Sequence, residues 1–189
     1  GADTAPADRV VSGPGGTAVP LPGPEPAFLV VTDAEQAPSV WQAAGGTPVG
    51  RPAWELARIR AGVPDPGAAV SEQLLPQEAN LGALDGISYA KGCYTGQEVV
   101  ARTHHLGKLK RRLFRFRGPD PVEPGDTLRA QGTEQTQGLI TDAAPDAEGG
   151  WELLAVARIE TLEAGTPLFA GQAPGEQPLT PLDLPYPAD

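Results

Sequence analysis

The 189-residue chain has no methionine, a single cysteine and few aromatic residues. One cysteine, Cys93, excludes an intrachain disulfide framework and cannot by itself supply a zinc or iron–sulfur site. No run approaches the roughly 18 consecutive apolar residues of a membrane span, and no signal-peptide pattern is visible. A cytoplasmic protein without a membrane partner is therefore expected. The missing methionine predicts a chain cut from a longer one, and residues 1–8 have the look of a cut end, so an upstream segment is expected. Basic residues are scarce, 14 against 24 acidic, and the net charge of −10 argues against a general polyanion binder.

Glycine (24) and proline (22) are abundant and scattered among apolar runs, which predicts many turns and short strands. Residues 1–16 are polar and expected to fray. Residues 17–21 read as a short edge strand, because Pro20 would break a central one. Residues 27–32 form a continuous apolar run, the pattern of a buried strand. Asp33 with Gln36 fits a capping box opening a helix that ends near Gly45. Residues 52–62 give the clearest helix: proline in the first turn, Leu56 and Ile59 on one face, Gly62 placed to cap the end. Residues 63–70 read as a loop, and residues 97–102 as a short helix or a strand.

From residue 109 to 117 the chain alternates, with Phe114 and Phe116 on one face and Arg115 and Arg117 on the other, as in a half-buried strand. Short strands are predicted at 127–130, 138–141, 153–159 and 168–170, each set off by turn residues. Such spacing points to a small antiparallel barrel or sandwich. The fold class read from the whole is α+β, with a boundary near residues 105–108 that divides the chain into 1–105 and 106–189. Residues 177–189 carry four prolines and are expected to pack as an extended tail.

Functional groups crowd into one octet, Lys91-Gly92-Cys93-Tyr94-Thr95-Gly96-Gln97-Glu98. Cys93 is either a small buried hydrophobe or a thiol activated by the neighbouring Lys91. No His/Asn partner for a protease-type cysteine can be assigned. His104 and His105, adjacent on a strand, would point to opposite faces and would not chelate one metal; no metal site is expected. Arg102, Lys108, Lys110, Arg111, Arg112, Arg115 and Arg117 make up half of all Lys and Arg, with no acid among residues 102–117. That run suits phosphate, an acidic ligand tail or RNA; otherwise it is a solvated strand face paired with acidic neighbours. No aromatic RNA-binding motif accompanies it, so nucleic acid is the lesser reading. Glu78 and Asn80 offer a carboxylate and an amide that suit a flat polar ring such as a pterin, or else cap a backbone turn.

Three stretches together carry a resemblance: Leu75-Pro76-Gln77-Glu78-Ala79-Asn80-Leu81, then Gly86-Ile87-Ser88-Tyr89, then the octet. They closely resemble the signature of the YgfZ/GcvT-like folate-binding proteins, relatives of the glycine-cleavage T-protein, an aminomethyltransferase. Residues 101–107 look like the mitochondrial iron–sulfur assembly branch of that family, residues 54–64 resemble its helix before the signature, and residues 125–128, 138–141 and 154–158 resemble its C-terminal barrel. The resemblance implies part of an aminomethyltransferase-like folate-binding domain followed by a small β-barrel. It implies binding of tetrahydrofolate or a related folate, and support for assembly or repair of iron–sulfur clusters in client or assembly proteins. By motif position it implies a redox or thiol-transfer role for Cys93, a pterin contact at Glu78 with Asn80 beside it, and a site shaped by Lys91, Tyr94, Gln97, Glu98 and Arg102. The accessory-factor reading leads. A one-carbon transferase of the T-protein type is the alternative, and an RNA-modification accessory the third reading.

Overall fold

The computed structural model describes residues 9–23, 25–65, 67–133, 135–171 and 177–188. Strands β1 (Val11–Gly13), β2 (Gly16–Leu21) and β3 (Ala27–Val31) form a three-stranded antiparallel sheet in that order. β2 is thus the middle strand, not an edge. β1 pairs only as far as Ala18, so at Pro20 the strand is an edge on that side, where proline is tolerated, while the other side stays paired with Phe28 in β3. β3 departs from its expected burial. Among the described residues it pairs with β2 alone, and Leu29, Val30 and Val31 are 52%, 48% and 57% exposed.

Helix α1 (Ala37–Ala44) starts later than the Asp33–Gln36 pattern predicts. The Asp33 carbonyl instead accepts the N–H groups of Gln36 and Ala37, both at 3.0 Å, in a turn ahead of the helix. Pro38 sets this start, since proline fits an α-helix only in its first turn. Gly45 ends the helix at φ 65°, as expected. Helix α2 (Arg51–Arg60) begins with Pro52 in its first turn, and Ile59 is its buried residue. A 3₁₀ turn (Ala68–Val70) and a run of turns over residues 74–86 lead to helix α3 (Gln97–Leu106).

The rest is a second sheet of β4 (Arg111–Gly118), β5 (Thr127–Ala130), β6 (Gly138–Pro145), β7 (Trp151–Arg158), β8 (Leu168–Ala170) and β9 (Thr180–Leu182), with the short helix α4 (Ile159–Glu163) after β7. The strand order is β8-β5-β6-β7-β4-β9, every neighbouring pair is antiparallel, and the sheet curls into a half-barrel. Alternation along β7 divides the core. Leu153, Ala155 and Ala157 face the inside with Phe116, Leu128, Ile140 and Leu168, whereas Leu154 and Val156 face outward onto Leu113 and Ile59. A bulge at Thr141 flips the phase of β6, so Ile140 points inward while Asp142 and Ala144 point toward α2. β4 is therefore covered on both faces: Leu113, on the arginine side, is fully buried under α2. Burying a side chain the size of Ile59 contributes about 2 kcal/mol, so α2 is held to the half-barrel by its own apolar stripe.

Ion pairs complete that contact. Asp142, pushed above the usual carboxylate range by burial, accepts the Arg58 guanidinium and the Asp65 N–H at 3.0 Å, both of which oppose the shift. Arg60 reaches Glu152 at 2.7 Å and Asp146 at 3.1 Å. Arg115 reaches the other Glu152 oxygen at 2.6 Å, and Arg117 reaches Asp146 at 3.0 Å.

The tail returns to the same helix. The Tyr186 hydroxyl donates to the Gly62 carbonyl at 2.6 Å. Gly62 sits at φ 69°, where a Cβ would meet the Tyr186 ring at 2.7 Å, so both its backbone and its neighbour require glycine. Burial raises the Tyr186 phenol above its ordinary value, opposed by the neighbouring Asn80 amide. A raised phenol stabilises the fold fully below about pH 10. That stability is lost as pH rises through the folded-state value, because the unfolded chain gives up its proton first. Tyr186→Phe should cost about 1 kcal/mol at neutral pH and flatten the alkaline loss of stability, both readable from urea unfolding across the alkaline range.

Candidate functional site

The turns over residues 74–86 are anchored into the half-barrel by two buried polar side chains. Glu78 is 8% exposed, and its carboxylate takes a two-pronged hydrogen bond from Arg111, Nε to Oε1 at 2.9 Å and Nη2 to Oε2 at 3.0 Å. It also reaches back to accept the Leu75 N–H at 3.0 Å, the geometry of a capped turn. Asn80, 6% exposed, adopts φ 56°, a left-handed conformation that asparagine tolerates. Its side-chain amide donates to the Leu113 carbonyl in β4 at 3.0 Å. Gln77 donates to the Val100 carbonyl at 2.6 Å and so joins this turn to α3, where Val100 is buried. A rigid base thus lies under a more open segment.

That open segment is the octet. Gly92 and Gly96 take φ 87° and 84°, turning the chain twice around an exposed Cys93. Gly96 is the N-cap of α3. The Tyr94 N–H donates to Gln97 Oε1 at 3.2 Å, and the Gln97 N–H donates to the Tyr94 carbonyl at 3.2 Å, closing a small loop beside the thiol. Lys91 places its ammonium 4.8 Å from the centre of the Tyr94 ring. Glu98 lies in the first turn of α3, and Arg102 is exposed one turn further on. His104 and His105 are on this helix, not at a strand end. His104 stacks on Tyr89 with ring centroids 3.9 Å apart and an interplanar angle of 18°.

The predicted residues therefore fall into two groups. Lys91, Cys93, Tyr94, Gln97, Glu98 and Arg102 share the exposed loop and α3, while Glu78 and Asn80 lie in the buried turn beneath, with Gln77 as the link. Among the described residues, Glu78 and Asn80 are occupied by partners within the fold. The Glu78 carboxylate is engaged by Arg111 and Leu75, and the Asn80 amide by Leu113. Sequence reasoning missed Arg111 as the partner of Glu78. The available signal was a lone acid in an apolar turn upstream of an acid-free basic run.

The structure also sorts that basic run. Arg111, Arg115 and Arg117 are paired with Glu78, Glu152 and Asp146. Arg112 donates to the Ala188 carbonyl and lies over the Phe114 ring, 4.9 Å from its centre. Among the described residues, Arg102, Lys108 and Lys110 make no ion pair and are exposed. No helix among them is long and apolar enough to cross a membrane.

No family model matches the chain. It is 34% identical over 170 residues to the tRNA-modifying protein YgfZ of Cronobacter sakazakii (strain ATCC BAA-894), a match covering 86% of this chain and 51% of that protein. It is 44% identical over 97 residues to proteins of the same name from Yersinia pestis (strain Pestoides F) and Yersinia pseudotuberculosis serotype O:3 (strain YPIII), covering 50% of this chain and 29% of each. The matches thus span about half the length of the Cronobacter relative and under a third of the Yersinia ones.

Proposed function

Because the chain belongs to the YgfZ family, we propose that it is the thiol-bearing part of a folate-linked accessory protein that supports iron–sulfur enzymes, including enzymes of tRNA modification. The observation that carries this reading is the exposed Cys93 on a glycine-hinged loop, mounted on a turn that Glu78 and Asn80 pin to the barrel. A structural cysteine belongs in a core. A cysteine held out on a supported loop suits exchange with another protein's thiol or with a sulfur-ligated cluster as cargo. The relatives' name, tRNA-modifying protein, fits an accessory whose iron–sulfur clients act on tRNA. Glu78 and Asn80 are committed to the fold here, so folate binding would draw on groups other than these two. When bound, tetrahydrofolate would supply one-carbon chemistry; the residues described here contribute the thiol and its support.

Two results test the reading. Cys93 should react with iodoacetamide in the native state, at a rate within about tenfold of the denatured chain, as expected for an accessible thiol. Alkylation that requires denaturant removes the thiol role. In cells, Cys93→Ser in the intact protein should lower tRNA modification while leaving the unfolding midpoint unchanged; full activity of that variant sinks the proposal. Calorimetry with tetrahydrofolate on the intact protein decides the folate half separately, and no heat means no folate.

A further inference from the structure

Exposed positive charge is concentrated in one segment of an acidic protein. Residues 86–110 hold four Lys and Arg against one acid, Glu98, and the remaining chain holds ten against twenty-three. Lys91, Arg102, Lys108 and Lys110 are all exposed, and none makes an ion pair among the described residues. The arginines of β4, by contrast, are neutralised by acids or held by the tail. The structure thus splits one basic run into a spent half on β4 and an unspent half on α3 and its flanks.

Aromatic rings lie in the same segment of the chain. Tyr89 and Tyr94 are 38% and 37% exposed. Tyr89 stacks on His104, and His105 meets His104 edge-on at 4.8 Å. Such a stack presents an outer ring face on which a further planar group can sit, and a second ring lies under Lys91. Cations that neutralise phosphates, interleaved with rings that stack on bases, are what single-stranded nucleic acid requires. Salt-bridging to an acidic protein would use the cations but leave the rings without a purpose.

We propose that the loop over residues 86–96, with α3 and the residues leaving it to Lys110, is a binding surface for single-stranded RNA, such as an unpaired loop of tRNA. Lys108, Lys110 and Arg102 contact phosphates. The Tyr89–His104 stack receives a base. Cys93 lies within the same segment, so bound RNA would bring a client's substrate beside the thiol. The proposal rests on the tRNA-linked part of the reading above and adds a direct contact to it.

The test is fluorescence anisotropy with the intact protein and a labelled single-stranded RNA of about 15 nucleotides, within the site sizes of such surfaces. A Kd on the order of 10 µM is expected at about 50 mM salt, weakening steeply toward about 200 mM. The triple variant Arg102→Glu/Lys108→Glu/Lys110→Glu should weaken binding more than about tenfold and reduce the salt slope by about 2. Tyr89→Leu should weaken binding with an unchanged slope, and Tyr89→Phe should retain it. Arg51→Glu, on α2, should bind as the parent does. Binding that no patch variant alters, or displacement of RNA by poly-glutamate at equal charge, overturns the proposal. If the intact protein binds no RNA while Cys93→Ser still lowers tRNA modification in cells, the surface is refuted and the accessory reading stands.

Discussion

Glu152→Ala is expected to destabilise the protein by about 3–5 kcal/mol, the usual cost of leaving a buried charge without its partner. Glu152 is 3% exposed and holds one guanidinium on each oxygen. Arg60 reaches Oε1 at 2.9 and 2.7 Å, and Arg115 reaches Oε2 at 3.0 and 2.6 Å. The hydrogen bond to Glu152 is also the chief reason the Arg60 guanidinium binds its proton more tightly than usual. Among the described residues, removing the carboxylate leaves Arg115, whose side chain is 18% exposed, with only the Asp183 carbonyl at 3.4 Å. Glu152→Gln should be nearly as costly, because its NH₂ group would face a guanidinium, and donors do not pair with donors. Arg60→Met should cost only about 1 kcal/mol, since the Arg60 side chain is 47% exposed and water already screens it. Urea unfolding of the three variants checks the order. A loss below about 1 kcal/mol for Glu152→Ala would mean that apolar packing alone holds α2 to the sheet.

That network explains which parts of the fold were legible in the sequence. The period-two alternation around Phe114 and Phe116 identified β4, because a strand shows its faces every second residue. The same pattern suggested that the arginine face met solvent. It does not, because α2 covers it and supplies Arg60 to a shared carboxylate more than ninety positions away in the chain. No local pattern announces such a partner. The bulge at Thr141 was equally hidden: a single extra residue reverses the facing of Asp142 and Ala144, and apolar periodicity alone cannot place it. Residues 27–31 show the converse error. A continuous apolar run reads as buried, yet in β3 Leu29, Val30 and Val31 are exposed on both faces of the strand, since hydrophobicity reports what a strand tolerates rather than what lies across from it. The His104–His105 pair was read as a strand end because residues 97–102 fit either period. The glycine N-cap at residue 96 and the buried Val100 fall where a helix needs them.

The octet itself was legible as a site because glycines, a thiol, a lysine and a tyrosine have no packing reason to cluster. Its foundation was less so. Glu78→Ala is expected to cost about 2–3 kcal/mol, through loss of the charge-assisted pair with Arg111 and of the cap on the Leu75 N–H. The figure is held below that for Glu152 because the Arg111 side chain is 39% exposed and can be hydrated once its partner is gone. Glu78 reaches α3 through Gln77 and Val100, so loosening the turn should also loosen the loop that carries Cys93. The variant should therefore show faster hydrogen exchange over residues 86–106 as well as a lower unfolding midpoint. Arg111→Met should give the smaller share of the loss, and the double variant should cost less than the two singles summed, because both remove one interaction. A ligand contact behaves differently. If Glu78→Ala leaves stability and exchange untouched while abolishing the heat of tetrahydrofolate binding in the intact protein, the carboxylate serves the ligand, and the anchoring role falls. If stability and loop exchange change together, a Glu78 variant that lacks activity reports a collapsed support beneath Cys93, and its phenotype carries no information about a pterin.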